Sequence, residues 1–138
     1  MDKDAFQIVS GNHLQAGAVL KERFDFVHYT GGTAVGKIVY KAAAEHMTPV
    51  LLELGGKSPA VVSPSCNIDE ACHRIAWGKW TMNMGQTCIS PDYIITTPDM
   101  ADKVIAKMKE VMVEFYTETP KESDDVSRII SERFVLLA

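Results

Sequence analysis

The sequence predicts an α/β fold built on parallel strands, and two observations favour it. Short segments rich in β-branched and large apolar residues alternate with longer segments whose apolar residues recur at helical spacing. A chain of 138 residues is also long enough to bury a core between a sheet and its helices. Strand–helix–strand alternation at this spacing is typical of βαβ units, in which successive strands run parallel.

The first part of the chain contains three predicted strands and two predicted helices. We expect strands at residues 5–10, 24–29 and 49–54, with helices at residues 14–22 and 35–46 between them. The apolar residues of the second helix recur at helical spacing, which places four of them on one face: Val35, Ile38, Val39 and Ala42. Together these elements predict two consecutive βαβ units.

The second part resumes the alternation after a turn at "ELGGKSP", residues 53–59, where two glycines and a proline interrupt the pattern. A strand is predicted at residues 60–63, and Asn67 is suited to cap the helix that follows. A further strand at residues 93–97 precedes the clearest helix of the chain. The apolar stripe of this helix, methionines included, is predicted to fill the core: Ala101, Val104, Ile105, Met108, Val111, Met112 and Phe115. A last helical segment is expected at residues 126–137.

Composition excludes several classes of protein. With a net charge of -4 and a pI of about 5.5, the chain has no basic surface of the kind that binds nucleic acid or an anionic membrane. No apolar run approaches the roughly 20 residues that span a bilayer, and the N-terminal residues lack the apolar core of a signal peptide. The cysteines form no C-x-x-C pair, so we expect no metal site and reduced thiols in the cytoplasm. The apolar end "ERFVLLA" carries no turn or capping signal and indicates a fragment.

The stretch "YTGGTAVGK", residues 29–37, leads from a predicted strand through glycines into a helix. The first backbone amides of a helix are free and its dipole is positive there, so such a turn can bind an anion. A second interpretation is that the glycines only allow a tight turn and close packing of helix on strand. A third is a nucleotide-binding P-loop that uses Lys37 and Mg²⁺, although Ile38 stands where that motif has Ser or Thr.

Two further residues are candidates for chemistry. Cys88 lies in "NMGQTCISPDY", among turn-forming residues whose backbone amides can stabilise a thiolate, the nucleophile suited to a carbonyl carbon. Glu53 ends an otherwise apolar segment, where burial would suit it to general-base chemistry near neutral pH. The alternatives are an inert thiol at Cys88 and a solvent-facing edge residue at Glu53. Cys66, in a polar turn, and Cys72, on an apolar stripe, are predicted to be structural.

The strings "YTGGTAVGK", "LELGGKSP" and "GQTC-x-x-PDY", in this order, resemble the aldehyde dehydrogenase superfamily. The fuller string "AAAEHMTPVLLELGGKSP", followed by "RIAWGKW" and "GQTCISPDYI", is similar to the class 3 branch, which includes fatty aldehyde dehydrogenases. The resemblance extends from about Phe6 to Phe134. It implies the C-terminal part of a Rossmann-like cofactor-binding domain, residues 1–54, and the start of an α/β catalytic domain, residues 55–138. Intact members are several times longer, so it also implies an internal fragment.

The resemblance further implies the oxidation of aldehydes to carboxylic acids with NAD or NADP. Cys88 matches the nucleophile, which forms a thiohemiacetal and then a thioester, and Glu53 matches the general base that activates water for hydrolysis. The cofactor's pyrophosphate would lie against the glycine turn, which comprises Gly31, Gly32, Thr33, Ala34, Val35 and Gly36. For the intact protein the resemblance implies a small-molecule aldehyde substrate and a homodimer. It implies a cytoplasmic location, and membrane association is compatible with it.

The chain departs from the family pattern in two places near these residues. The family usually has Ser at the position of Gly32. The segment "WGKWTMNMGQTC" carries one residue more than the class 3 pattern, which predicts a changed register of the loop before Cys88. We therefore expect weak catalysis from this chain alone, and two alternatives stay open. One is a non-catalytic remnant that acts as a folding or interaction module, and the other is the P-loop module described above.

Overall fold

The computed structural model describes residues 2–135, with backbone only at Arg133 and Phe134. The chain divides into two compact units, Met1–Gly55 (unit 1) and Gly56–Ala138 (unit 2). The division falls one residue after the boundary expected at residue 54. The assignment of the two parts to cofactor binding and catalysis stays a prediction.

Unit 1 contains a parallel βαβ arrangement, as the alternating pattern predicted. Strands β1 (Val27–Thr30) and β2 (Val50–Glu53) pair in parallel, so that Thr30 lies opposite Glu53. The connecting helix α2 spans Thr33–Ala44. Its buried positions recur at helical spacing and comprise Gly36, Val39 and Ala43.

Helix α1 (His13–Val19) precedes β1 and begins at a capping box. The side chain of Asn12 accepts a hydrogen bond from the amide of Leu14 at 2.8 Å, and the amide of Asn12 donates to the side chain of Gln15 at 3.0 Å. The helix ends three residues before the predicted end at residue 22, with Leu20 as its C-cap.

The strand predicted at residues 5–10 is wrong. These residues form no strand, and the sheet of unit 1 contains β1 and β2 among the residues that the structure describes. Phe6, Ile8 and Val9 have β-forming side chains, but they are exposed and their backbone groups pair with no neighbouring strand. A strand depends on a partner for its hydrogen bonds, so local preference did not decide the structure of this segment.

Unit 2 contains a second parallel strand pair and the longest helix. Strand β3 (Ser58–Val61) leads to helix α3 (Ile68–Ala76), which Asn67 caps by accepting from two backbone amides as predicted. Strand β4 (Pro91–Ile95) pairs with β3 in parallel, with an irregularity at the start of β3. Helix α4 (Pro98–Tyr116) packs on α3.

The core of unit 2 lies between α3, α4 and the segment that follows β3. Its buried members are Val62, Cys72, Ala76, Met100, Val104 and Val111. Met108 and Phe115 pack against this cluster, which confirms the predicted use of methionine as a core residue. Ile105, also predicted to lie in the core, is instead exposed.

The prediction of a long C-terminal helix at residues 126–137 is wrong for most of that range. Helix α5 spans only Glu132–Val135, and residues 136–137 lie outside the described part of the chain. Upstream of α5 the backbone makes other bonds, since the carbonyl of Val126 accepts from the side chain of Arg128 and the amide of Ile130 donates to the side chain of Gln86. These contacts replace the backbone bonds that a helix would need.

Candidate active site

The glycine turn lies at the carboxyl edge of the sheet in unit 1, between β1 and α2. The amide of Gly31 donates to the carbonyl of Glu53 at 3.0 Å, which joins this turn to the end of β2. Gly32 is the N-cap of α2 and provides no side-chain cap. Within residues 2–135, the amides of Thr33, Ala34 and Val35 donate to no acceptor, so the helix presents three free N–H groups there.

The structure requires glycine at one position of this turn but not at another. Gly36 is buried, and a Cβ atom there would meet the side chain of Leu54 at 2.8 Å, so the packing interpretation holds at this position. At Gly32 a Cβ atom would meet nothing within 4 Å, and its φ of -73° suits any residue. The glycine at residue 32 is therefore not required by the backbone.

Glu53 is the last residue of β2, and its backbone lies beside the glycine turn. The burial expected of it is wrong, because its side chain is exposed. The alternation of the strand explains this orientation: Val50 and Leu52 face inward, so Leu51 and Glu53 face outward. Unit 1 thus brings together Glu53 and the glycine turn, whereas Cys88 belongs to unit 2.

The segment before Cys88 contains a π-helix that the sequence did not predict. Helix α3 continues into a π-helix at Trp77–Thr81, followed by a short 3₁₀ turn at Asn83–Gly85. A π-helix uses i→i+5 hydrogen bonds and holds one more residue in its turn than an α-helix would, and such turns are frequent at functional sites. The π-helix lies in "WGKWTMNMGQTC", the segment for which the resemblance predicted a changed register before Cys88.

Three successive residues then adopt left-handed conformations, namely Asn83 (φ 46°), Met84 (φ 56°) and Gly85 (φ 75°). Asparagine and glycine tolerate this region, but at Met84 it costs about 1 kcal/mol. Hydrogen bonds to side chains support the turn: the amide group of Gln86 donates to the carbonyl of Asn83 at 2.7 Å, and the hydroxyl of Thr87 donates to Asn83 Oδ1 at 2.9 Å.

Cys88 itself lies in a turn between this segment and β4, as expected, and its side chain is exposed. Its carbonyl oxygen accepts from the hydroxyl of Ser58 at 3.2 Å, and a Cβ atom on Gly56 would overlap the same oxygen. Among residues 2–135, the amide of Cys88 donates no hydrogen bond. The loop therefore presents a thiol next to a free N–H group.

The other two thiols differ from Cys88 in exposure. Cys72 is fully buried, and burial raises the pKa of its thiol, with the neighbouring Cys66 adding to the effect. Cys66 is half-buried against the core of unit 2. Both therefore fit the structural role predicted for them.

Gln86 ties the cysteine loop to a distant part of the chain. Its side-chain amide donates to the carbonyl of Arg128 at 3.3 Å, and its side-chain oxygen accepts from the amide of Ile130 at 3.0 Å. The sequence alone did not indicate Gln86 or Ser58 as site residues. Their partners lie 42 to 44 and 30 residues away in the chain, and no local pattern reports such contacts.

An ion-pair cluster borders the same loop. Lys57 lies 2.8 Å from Asp92, and Lys79 lies 4.0 Å from the other carboxylate oxygen. The hydrogen bond from Lys57 holds the pKa of the Asp92 carboxyl below its ordinary value. No group of three or more potential metal-ligating side chains occurs in the part of the chain that the structure describes. Across residues 2–135, no helix has the length and apolarity needed to cross a membrane.

Comparisons with known proteins identify relatives of this sequence. A model of the aldehyde dehydrogenase family matches residues 1–134. The chain is 52% identical to the mouse dimeric NADP-preferring aldehyde dehydrogenase over 133 residues. The aligned region covers 96% of this chain and 29% of that protein. It is also 52% identical over 133 residues to mouse aldehyde dehydrogenase family 3 member A2, with 96% of this chain and 27% of that protein covered. The chain thus spans less than a third of these curated relatives.

Solved structures show the same fold. The Staphylococcus aureus AldH, in a substrate-bound state, superimposes with a TM-score of 0.79 at 38% identity, covering 94% of this chain and 29% of that one. The NADP-dependent glyceraldehyde-3-phosphate dehydrogenase from Bacillus halodurans, complexed with NADP, gives a TM-score of 0.73 at 27% identity over 93% of this chain and 27% of that one. The predicted α/β fold is confirmed. The chain therefore belongs to the aldehyde dehydrogenase family.

Proposed function

We propose that the protein oxidises aldehydes to carboxylic acids with NAD or NADP, using Cys88 as nucleophile and Glu53 as general base. The observation that carries this proposal is the exposure of the Cys88 thiol beside a free backbone amide, on a loop held by hydrogen bonds. Cys66 and Cys72, by contrast, are half-buried and buried. The names of the relatives support the choice of reaction and cofactors.

In the proposed reaction, the Cys88 thiolate attacks the aldehyde carbon and forms a C–S bond, while the carbonyl electron pair moves to oxygen. The free amide of Cys88 can donate to that oxyanion and stabilise it. A bound nicotinamide cofactor would supply the hydride acceptor; as the thiohemiacetal carbon loses hydride, the oxyanion electron pair re-forms the C=O bond and leaves a thioester on Cys88. Glu53 then takes a proton from water, the hydroxide adds to the thioester carbon, and the C–S bond breaks to release the acid and the Cys88 thiolate.

The glycine turn is the proposed site for the cofactor's pyrophosphate. Three free amides at the N-terminus of the 12-residue helix α2 suit an anion, because the donors converge where the helix dipole is positive. Gly31 and Gly36 shape the turn, and Gly32 leaves open space in front of it. These residues would bind the dinucleotide through backbone atoms, with no side chain from residue 32.

The oligomeric state and the location are part of the proposal. One relative is named as dimeric, and we propose a homodimer for the intact protein. We also propose a cytoplasmic location, since the expectation of reduced thiols suits a cysteine nucleophile.

A cofactor-free acyl-transfer assay tests both catalytic residues. The purified chain is incubated with p-nitrophenyl acetate, and mass spectrometry follows acetyl transfer to the tryptic peptide 80–103, which contains Cys88 and no other cysteine. We expect faster acetylation there than in peptide 58–74, which contains Cys66 and Cys72. Cys88→Ser should abolish the signal, whereas Cys66→Ser should not. Equal rates at all three thiols would contradict the nucleophile assignment.

The fate of the acetyl group tests Glu53. Loss of a general base slows a proton transfer by about 100-fold or more, so Glu53→Gln should accumulate the acetyl-enzyme. Glu45→Gln, another exposed glutamate of unit 1, is the matched control and should hydrolyse its thioester at the wild-type rate. Unchanged hydrolysis in Glu53→Gln would contradict its role as general base.

Oxidation of an aldehyde in the presence of NAD tests the complete reaction. We expect the chain to form NADH only weakly, and rapid turnover would contradict that expectation.

The second candidate is a non-catalytic folding or interaction module. It is favoured by large apolar side chains on the surface, such as Val61 (75% exposed), Ile89 (75%) and Ile130 (80%), and by sheets of two strands in each unit. The two candidates differ in the behaviour of Cys88. A thiol that reacts no faster than Cys66 in the acyl-transfer assay, in a chain that self-associates, would favour the module.

A further inference from the structure

We propose that Ser58 is a positioning residue for Cys88, and that with Gly56 it fixes the backbone from which the thiol projects. The inference deepens the proposed function and rests on it, because it assigns the orientation of the nucleophile to the "GGKS" turn before β3. Nothing in the sequence pattern of Ser58 indicated this role.

Two contacts place this turn directly on the Cys88 carbonyl group. The hydroxyl of Ser58 donates to the carbonyl oxygen at 3.2 Å, across 30 residues of sequence. On the same oxygen, Gly56 packs so closely that any side chain there would overlap it. Ser58 supplies the hydrogen-bond donor, and Gly56, which has no side chain, leaves the space that the carbonyl oxygen occupies. The carbonyl is therefore confined from two directions.

The preceding peptide group is held as well. The carbonyl of Thr87 accepts from the amide of Ser90 at 3.1 Å, and Ser90 is buried with its hydroxyl 3.5 Å from the carbonyl of Gly78. Both peptide planes beside the Cys88 Cα atom are therefore fixed. Because the peptide is planar and trans, the amide of Cys88 points away from the Thr87 carbonyl and is oriented by the same bond.

This arrangement bears on acyl transfer in particular. Attack on a carbonyl carbon requires the sulfur and the amide donor to act together, the first on the carbon and the second on the developing oxyanion. Their relative position depends on the backbone angles at Cys88, which Ser58 constrains. Displacement at a saturated carbon, as with iodoacetamide, develops no oxyanion and needs no such donor. Loss of the Ser58 hydroxyl should therefore affect the two reactions differently.

The experiment compares Ser58→Ala, Ser58→Thr and wild type in the 138-residue chain. In Ser58→Ala we expect acetylation of Cys88 by p-nitrophenyl acetate to slow by about 3- to 10-fold, the effect of one lost hydrogen bond. Alkylation by iodoacetamide should stay within about 2-fold of wild type, and Ser58→Thr, which keeps the hydroxyl, should restore acetylation. Unchanged acetylation in Ser58→Ala would overturn the proposal. So would a parallel change in both reactions, or a Ser58→Thr variant as slow as Ser58→Ala.

Amide hydrogen exchange separates this proposal from the proposed function. In Ser58→Ala, exchange in a peptide that covers residues 87–90 should accelerate by about 3- to 10-fold while exchange in the centre of α4 is unchanged. If wild-type Cys88 proves no more reactive than Cys66, the proposed function fails, and faster exchange would still support the constraint on the loop. Unchanged exchange at residues 87–90 would overturn the positioning role whatever the reactivity of Cys88.

A glycine pair provides a second variant. Gly56→Ala should slow acetylation at least as much as Ser58→Ala, because the added methyl displaces the Cys88 carbonyl. Gly55→Ala is the matched control, since a Cβ atom there meets nothing within 4 Å. Equal acetylation rates in the two glycine variants would contradict the close packing on which the proposal depends.

Discussion

The glycine turn of unit 1 and the cysteine loop of unit 2 differ in how many of their backbone polar groups are bonded to side chains. At the glycine turn, the first amides of α2 have no acceptor within the described residues and no side chain caps them. Around Cys88, the side chains of Ser58 and Gln86 donate to backbone carbonyls. The side chain of Asn83 accepts from the hydroxyl of Thr87. A site for an anion needs donors left free, whereas a nucleophile needs the backbone around one exposed atom to be fixed.

The largest effect is expected where the glycine turn meets the core of unit 1. Gly36 is buried against Leu54, so Gly36→Val should lower the free energy of unfolding by about 1–3 kcal/mol through overpacking. Gly17→Val is the control, because Gly17 is also helical but has open space at its Cβ position. Denaturant unfolding measures both. A Gly36→Val variant as stable as Gly17→Val would show that Gly36 has no packing role.

The cysteine loop should respond to loss of Gln86. Gln86→Ala removes the bonds to Asn83, Arg128 and Ile130, all at exposed positions, and should destabilise this region by about 1 kcal/mol. We expect faster amide exchange at Ile130. Gln86→Glu keeps an acceptor for the Ile130 amide and should lose less protection there, while Gln7→Ala, at an exposed residue of unit 1, should change nothing. Equal protection of the Ile130 amide from exchange in Gln86→Ala and wild type would show that the Gln86 side chain does not hold this segment.

The features that the sequence predicted correctly are those that depend on neighbouring residues. Helix α4 and the Asn67 cap follow from signals within a few residues, and both are confirmed. The predictions of a strand at residues 5–10 and of a helix at residues 126–131 were wrong. The structure of these segments depends on contact partners, which the local preference of residues for strand or helix does not reveal. Local residues made Cys88 and Glu53 candidates, and a motif resemblance assigned their roles. The contacts of Ser58 and Gln86 join distant segments and required the fold.

The π-helix before Cys88 belongs with the features that local signals could not reveal. Its residues, "WGKWT", contain no proline or glycine pair that marks a break, and the pattern of α3 runs directly into it. Only the resemblance, which implies an extra residue in this segment, gave an indication of its position. A helix can take in one residue through a π turn without ending, so an insertion there need not disrupt the core that α3 forms with α4.

The smallest effect is expected at Gly32, where the resemblance implies Ser in the family pattern. Gly32→Ser would add a hydroxyl at the N-cap of α2, which can accept from a free amide and stabilise the helix by a few tenths of a kcal/mol. Gly32→Ala, which fits the same open space without a hydroxyl, should be slightly destabilising. Denaturant unfolding with and without NAD distinguishes the two uses of the turn. A hydroxyl that serves only as a cap raises stability equally in both conditions, whereas one that also contacts the pyrophosphate raises it more when NAD is present. If Gly32→Ser and Gly32→Ala behave alike, the hydroxyl has no role at this position, and the free backbone amides alone account for anion binding at the turn.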